Sequence, residues 1–252
     1  MDRCNDSYPF LWMGVFHEIV QKEKYRRIVF KNKIFNTILL TGSVIVTLFI
    51  IAKLTGVLQY AFVPEAGSEP TVKKRSFVVI TNILPYDKNK LLIYYQDNIH
   101  GKGMYIQRLV GVYKDKVQIK NGELYVNDIA VDAHLNLKHS YKIDRAFVNE
   151  LMMKGFSEND FFPFDQNHFV TNLSKNELDN NFFHERFINT GPDHDIFKAY
   201  GKDWTADNFG PIIIPKGKVF FLGDNRNASL DSRYTGLINE EEIKGRVIYP
   251  KN

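Results

Sequence analysis

Cysteine is nearly absent from this sequence, and its scarcity limits the available chemistry. The single cysteine, Cys4, excludes an intramolecular disulfide and any zinc site built from several cysteines. The seven histidines are scattered without the spacing of a helical metalloprotease motif, so we expect no metal ion and no cofactor. The formal net charge is only +4, and the basic residues form no long stripe, which argues against nucleic-acid binding.

Apolar residues, in contrast, are plentiful. Hydrophobic residues make up 44% of the chain and aromatic residues 14%, a composition typical of a folded protein with a core. A length of 252 residues suits one large domain, or a domain with appendages.

One stretch of the chain carries no charge at all. Residues 34–52 read IFNTILLTGSVIVTLFIIA, close to the roughly 20 residues that a helix needs to cross a membrane. A buried core helix would be unusual beside a β-rich sequence. A cleaved secretory signal fits poorly with the long preceding tail and the lack of a small-residue cleavage site. We therefore expect a single transmembrane anchor at 34–54.

Basic residues flank this anchor unequally. A group of them precedes it, whereas Lys53 is the only basic residue between the uncharged stretch 34–52 and Lys73. The positive-inside rule then places residues 1–33 in the cytoplasm, where Cys4 stays unpaired, and residues 55–252 outside. The tail has apolar residues at helical spacing, which predict an amphipathic helix against membrane lipid or against a cytoplasmic partner: Phe10, Leu11, Trp12, Val15, Phe16 and Ile19.

Short runs of strand-forming residues separated by turn residues follow the anchor. They predict a mainly β exported domain, an antiparallel barrel or folded sheet. Asn121-Gly122 between two runs predicts a hairpin turn. Residues 132–208 break the rhythm and indicate an inserted cap region. The predicted strands are 77–80, 90–95, 104–110, 116–120, 123–126, 211–214, 218–221 and 246–249.

The last long apolar strand runs into a dense polar cluster, GDNRNASLDSR, at residues 223–233. Gly223 permits a sharp turn, and the polar residues after it can bond to a loop backbone. Asp231 and Arg233 are two residues apart, so in an extended segment their side chains point the same way. Short pieces of this cluster fit any well-capped turn, but the full string is more specific.

Four segments together resemble the bacterial type I signal peptidases, which are membrane-anchored serine proteases with a Ser/Lys dyad. These are VPEAGSEPTV at 63–72, YIQRLVG at 105–111, ELYVND at 123–128, and the region 208–236 that contains the polar cluster. The resemblance covers the anchor and most of the exported region. It implies the family's antiparallel β fold, a place in the bacterial inner membrane and a role in protein export.

The sequence departs from that family at the positions that perform the chemistry. The family's nucleophile is a serine before a methionine in a pattern close to I-P-S-G-S-M-x-P-T-L, and its base is the lysine of Y-V-K-R-V-I-G. The aligned nucleophile position is Gly67, the methionine position is Ser68, and the base position is Gln107. Glu65 replaces a hydroxyl that helps to bind the oxyanion, where a carboxylate would repel the developing negative charge.

The remaining signature residues match the family and are expected to support the site. The resemblance implies that Ser229 lies near the base position, and that Asp231 and Arg233 form a pair beneath it. Asp224, Asn225 and Arg226 are expected to hold a loop. Such buried polar bonds are costly to break whether or not the protein turns over a substrate.

Three functions remain open at this stage. The first is a catalytically silent homologue that binds signal peptides or preproteins, or that scaffolds an active signal peptidase. The second is an active peptidase that uses Ser68 as a displaced nucleophile with an unconventional base. The third is a structural envelope protein that has kept only the fold.

Overall fold

The computed structural model describes residues 9–98 and 101–250 and divides into two compact units between Thr55 and Gly56. The first unit is a single helix, α1, from Pro9 to Leu54. From Pro9 onward, the predicted tail and the predicted anchor therefore belong to one continuous helix. After Pro9 the chain has no proline until Pro64, so nothing of that kind interrupts the helical hydrogen bonds.

Part of α1, Val20–Leu54, is long and apolar enough to cross a membrane. Its hydroxyl groups bond within the helix, as Thr37 does to the Lys33 carbonyl and Thr41 to the Thr37 carbonyl, both at 2.9 Å. These polar groups thus need no partner outside the helix. Cys4, and the side chains on which the predicted amphipathic tail helix depends, lie outside the described residues.

The second unit, which we call the β-rich unit, consists mainly of short strands. In chain order they are β1 (Gln59–Val63), β2 (Ser76–Thr81), β3 (Leu91–Asn98), β4 (Gly101–Gly111), β5 (Lys116–Lys120), β6 (Glu123–Val126), β7 (Ile129–Ala130), β8 (Lys138–Asp144), β9 (Phe162–Pro163), β10 (His168–Ser174), β11 (His184–Arg186), β12 (Phe209–Ile213), β13 (Lys218–Leu222), β14 (Ile238–Asn239) and β15 (Ile243–Tyr249). The helices of this unit are α2 (Arg145–Met153), α3 (His194–Tyr200) and α4 (Ser232–Thr235).

In the described part of the chain these strands form three antiparallel sheets. The largest has the order β1-β2-β15-β3-β4-β13-β14, and the others have the orders β12-β5-β6-β7 and β11-β8-β10-β9. The predicted mainly β, antiparallel fold behind one N-terminal apolar helix is thus confirmed.

The largest sheet is buried on both faces at its centre. Successive residues of β3 point to opposite faces, so Leu91 and Ile93 join one core cluster while Leu92 and Tyr94 join another. This explains why the β3 sequence is a continuous apolar run without polar alternation.

The predicted hairpin turn at Asn121-Gly122 joins β5 to β6 and has positive φ at both residues, 48° and 76°. These values are those of the turn that asparagine followed by glycine favours. The hairpin brings Leu124 and Val126 into a core cluster shared with Phe209 and Phe220.

Residues of the predicted cap region form the sheet β11-β8-β10-β9, with α2 packed on it around Phe147 and Leu151. The end of the same region does not stay with this small core. In α3, Ile196 and Tyr200 pack against the core of the β12-β5-β6-β7 sheet, because both are apolar residues on one face of a short helix.

Candidate active site

Three segments of the β-rich unit line a groove of 230 Å³. They are the end of β1 with the loop that follows it, the first half of β4, and the loop before α4. The four positions at which the sequence departs from the family, Glu65, Gly67, Ser68 and Gln107, all belong to this lining. We call this cavity the groove.

Gln107 is buried, and both N–H groups and the carbonyl oxygen of its amide have partners. Its Nε2 donates to the Leu230 carbonyl oxygen at 2.8 Å and to Ser229 Oγ at 3.1 Å, and its Oε1 accepts from the Tyr94 hydroxyl at 2.6 Å. Because a carbonyl oxygen only accepts, the Leu230 contact fixes which way the amide points. Gln107 is therefore a neutral, locked side chain that cannot act as a base.

Tyr94 is a site residue that sequence reasoning missed. Its ring stacks on Phe221 with 4.3 Å between the centroids. Burial first, and then the Asp231 carboxylate and the Tyr105 hydroxyl, raise the pKa of Tyr94 well above its ordinary value. The hydroxyl thus stays protonated and remains the donor to Gln107. The apolar run in β3 indicated that Tyr94 is buried, but it did not indicate that its hydroxyl bonds to Gln107.

Gly67 faces the same serine that Gln107 binds. A Cβ placed on Gly67 would lie 3.4 Å from Ser229 Oγ, an ordinary contact distance, so a small side chain fits there. The Gly67 carbonyl oxygen accepts a hydrogen bond from the Asn225 backbone N–H at 3.1 Å. A Cβ on Gly223 would collide with the Ser229 side chain and would lie 2.6 Å from the Gly67 carbonyl oxygen. Gly223 is therefore needed for this close approach.

Ser68, the candidate for a displaced nucleophile, is only 3% exposed, and its Oγ donates to the Ile106 carbonyl oxygen at 2.5 Å. The described residues that line the groove include no lysine and no histidine. Three lysines could be considered as substitute bases, but Lys73 and Lys74 are exposed, and Lys102 pairs with Asp97 at 2.9 Å. The described groove lining thus offers Ser68 no lysine or histidine as a base.

Asp231 and Arg233 form the expected pair, but by a different local structure. The segment is not extended: Asp231 caps the one-turn helix α4 and accepts from the Arg233 backbone N–H. The Arg233 guanidinium binds both Asp231 oxygens, at 2.8 and 2.7 Å, and reaches the Ala206 and Arg226 carbonyl oxygens. Burial opposes the charge of Arg233, but the charge and hydrogen bonds of Asp231, together with Tyr234 and Asp207, outweigh it and raise the pKa of Arg233. This pair therefore fixes the loop that carries Ser229.

Asp224 makes a second buried ion pair, with a partner that sequence reasoning also missed. Arg108 of β4 binds its two carboxylate oxygens through Nε at 2.8 Å and Nη2 at 2.6 Å. The Thr71 hydroxyl donates to the same carboxylate. This cluster ties β4, the polar loop and the segment after Gly67 together directly behind the groove. The arginine could have been noticed as a charge in a strand expected to be buried.

Arg226 extends the polar network into the cap region. Its Nη1 pairs with Asp132 Oδ2 at 2.5 Å, and its backbone N–H bonds to the Lys138 carbonyl oxygen. Nearby, Arg186 donates to the imidazole of His139. Burial first, and then the charges of Arg186, Arg226, Arg233 and Lys175, lower the pKa of His139 to about 2. His139 is therefore neutral in the folded protein.

Acid is expected to weaken the folded state through His139. The unfolded histidine takes up a proton below about pH 6.5, whereas the folded one resists protonation down to about pH 2, so stability falls as the pH falls through this window. From pH 7 to pH 5 the loss is about 2 kcal/mol. Urea unfolding of the full-length protein in detergent micelles at both pH values measures it.

His139→Asn keeps an acceptor for Arg186 and removes the titration, so its stability should change less between the two pH values. His134→Asn, at an exposed histidine, serves as the matched control and should behave like the parent protein. Equal pH dependence of His139→Asn and the parent would contradict this assignment.

A protein-family model described as signal peptidase, peptidase S26, matches residues 34–250. Signal peptidase IB of Staphylococcus aureus (strain COL) is 28% identical over 227 residues, which cover 87% of this chain and 90% of that protein. Signal peptidase I S of Bacillus subtilis (strain 168) is 25% identical over 191 residues, covering 73% and 72%.

A solved structure of a signal peptidase I from Enterococcus faecalis V583 is also similar. It is 17% identical and matches 66% of this chain and 98% of that chain, with a TM-score of 0.33. At this score we draw no conclusion from the superposition.

Proposed function

The chain belongs to the peptidase S26 family of signal peptidases, and we propose that it binds signal peptides without cleaving them. The proposal depends on one observation. Gly67 and Gln107 lie on either side of Ser229, and the Gln107 amide is fully hydrogen-bonded. Gly67 offers no nucleophile, and the neutral Gln107 amide takes no proton from one. Serine peptidase chemistry needs both a nucleophilic hydroxyl and a base that takes up its proton.

A displaced reaction through Ser68 is disfavoured by its geometry. The Ser68 hydroxyl is buried and bound to a backbone carbonyl, and the described groove lining has no lysine or histidine to activate it. Glu65, exposed at the groove, would in addition repel the negative charge that develops on an attacked carbonyl oxygen.

The groove retains an open strand edge that suits an extended peptide. The Leu109 N–H donates to the Lys90 carbonyl oxygen on the β3 side, so the alternation of an antiparallel ladder turns the backbone groups of Met104 and Ile106 away from β3. On that other side β13 pairs with β4 only from Arg108 onward. A peptide that adds a strand there would bond to Met104 and place its side chains between Phe62 and Leu230.

The apolar helix and the family together indicate a membrane-anchored protein. The proposal places residues 1–33 in the cytoplasm and the β-rich unit on the outer side of the bacterial inner membrane, where signal peptides emerge. An active signal peptidase as a bound partner is compatible with this placement, but no described feature favours it over the peptide.

The proposal is tested by measuring binding and cleavage separately. Full-length protein in detergent micelles is expected to bind a fluorescent signal peptide but to release no product from an excess of preprotein. Met104→Pro removes the edge N–H without disturbing the bonds to β3, so it should weaken peptide binding about tenfold. Met104→Ala is the matched control and should bind normally. Fluorescence anisotropy and gel analysis of the preprotein give the two readouts.

Two outcomes would contradict the proposal. Cleavage by the parent protein that disappears in Ser68→Ala would establish an active enzyme with a displaced nucleophile. Failure of the parent protein to bind the peptide would favour a structural role in which the groove is unused.

A further inference from the structure

Glu65 is the only charged side chain in the described lining of the groove. It is exposed, and in chain order it lies between Phe62 near the end of β1 and Gly67 beside Ser229. The other described residues of the lining are apolar or neutral. A peptide in the groove therefore meets one negative charge and no positive charge from the described lining.

The Glu65 carboxylate has no ion-pair partner among the described residues, unlike the next acidic residue of the same loop. Glu69 lies 2.9 Å from the Lys138 ammonium group and accepts a hydrogen bond from the Lys74 backbone N–H at 3.1 Å. The charge of Glu69 is thus balanced within the protein, whereas the charge of Glu65 faces solvent in the groove. A carboxylate on an open surface is simply hydrated, but one that lines a binding groove also interacts with the bound chain.

The open strand edge brings a bound peptide close to this carboxylate. The peptide of the proposed function bonds to the backbone of Met104 and passes between Phe62 and Leu230, and Glu65 lines the same cavity of 230 Å³. Every second side chain of an extended peptide points to the same wall. One peptide side chain, or two that are two residues apart, therefore points towards Glu65.

Charge at this position of the peptide then decides how well it binds. A lysine or arginine side chain that faces Glu65 gains charge attraction and a charge-assisted hydrogen bond. An aspartate or glutamate at the same position is repelled, which selects against acidic peptides. Water and salt weaken both effects at an exposed carboxylate, so the selection is several-fold rather than absolute.

Resting on the proposed function, we propose that Glu65 is a specificity-determining residue and that the groove prefers peptides with a basic residue facing it. A carboxylate at this position would hinder cleavage by repelling an oxyanion. In a protein that binds without cleaving, the same carboxylate instead selects among peptides by their charge.

The test scans a charge along a fluorescent signal peptide, in which each of the last six residues in turn is replaced by lysine, glutamine or glutamate. Full-length protein in detergent micelles is expected to prefer lysine over glutamine about fivefold at one position, or at two positions two residues apart. Glutamate there should bind about fivefold more weakly than glutamine. Fluorescence anisotropy at low salt measures these affinities, and in about 1 M sodium chloride the preference should largely disappear.

Variants of Glu65 assign the preference to this side chain. Glu65→Gln should bind the three peptides alike, and Glu65→Lys should reverse their order, so that the glutamate peptide binds best. Glu185→Lys, at an exposed acidic residue outside the groove, makes the same change in net charge and should keep the order of the parent protein.

Two results would overturn the assignment of Glu65 and leave groove binding intact. One is equal binding of the three peptides by the parent protein at every position, and the other is an unchanged preference for lysine in Glu65→Gln. If the parent protein binds none of the peptides, the proposed function and this inference both fall.

Discussion

Replacing Gly67 by serine and Gln107 by lysine together is expected to convert this protein into a working signal peptidase. A serine at 67 fits beside Ser229, because a Cβ there makes only an ordinary contact. A lysine amine at 107 extends one bond further than the glutamine Nε2 and enters the space between Ser229 and the Leu230 carbonyl. Burial beside Tyr94 should lower the pKa of that amine, so that it accepts the serine proton.

The expected gain is about 10³-fold in the rate of preprotein cleavage over the parent protein, since loss of a catalytic pair typically costs at least that much. Adding Glu65→Ser should give roughly another tenfold by removing the negative charge beside the oxyanion. Gel analysis of a preprotein after incubation with the full-length variants in micelles measures both gains.

Two control variants identify the nucleophile. Gly67→Ala with Gln107→Lys has the base without the hydroxyl and should stay inactive. Adding Ser68→Ala to the active double variant should leave its activity unchanged. If the double variant and its combination with Glu65→Ser are both inactive but bind the peptide normally, the groove cannot align a scissile bond.

Removal of Arg108 is expected to cause a large loss of stability. Arg108→Met leaves the Asp224 carboxylate buried without its cation, which should cost about 3–5 kcal/mol. The matched control is Lys102→Met, which breaks the exposed, solvent-screened pair with Asp97 and should leave the stability nearly unchanged. Urea unfolding followed by the fluorescence of Trp204 in the β-rich unit measures both losses.

The double variant Arg108→Met with Asp224→Leu separates the cost of leaving the Asp224 charge unpaired from the loss of the ion pair itself. It removes both charges, so it should be more stable than Arg108→Met alone, as expected when an unpaired buried charge is the main cost. A loss below about 1 kcal/mol in Arg108→Met would mean that Thr71 alone satisfies Asp224.

The sequence predicted the fold well where local patterns decide it. Short apolar runs predicted the strands, and Asn121-Gly122 predicted a hairpin, because turn geometry and pleat period are local properties. The sequence did not predict that the tail and the anchor form one continuous helix. Charge patterns indicate where a membrane begins but not where a helix ends. The extended form expected for 231–233 was wrong, because Asp231 binds the backbone N–H of Arg233 and begins α4.

The site was predictable only in part. Motif resemblance singled out Gly67 and Gln107 and placed Ser229, 122 residues further along the chain, near Gln107, but it did not predict the bonds of Gln107 to Tyr94 and Leu230. Tyr94 and Arg108 were missed for the same reason: their partners come from other strands and loops. The packing of the cap region against the polar loop, as in the pair of Asp132 with Arg226, was also not predicted, because no local pattern encodes it.

The fully hydrogen-bonded amide of Gln107 also affects which substitutions such a chain can gain during evolution. Tyr94, Ser229 and Leu230 together satisfy it, so a lone Gln107→Lys substitution removes the acceptor of the Tyr94 hydroxyl and gains no reaction while Gly67 remains. A lone Gly67→Ser substitution likewise gains no reaction without a base. Under the proposed function, neither substitution alone produces cleavage, so a two-step route to an active enzyme passes through a single variant without benefit.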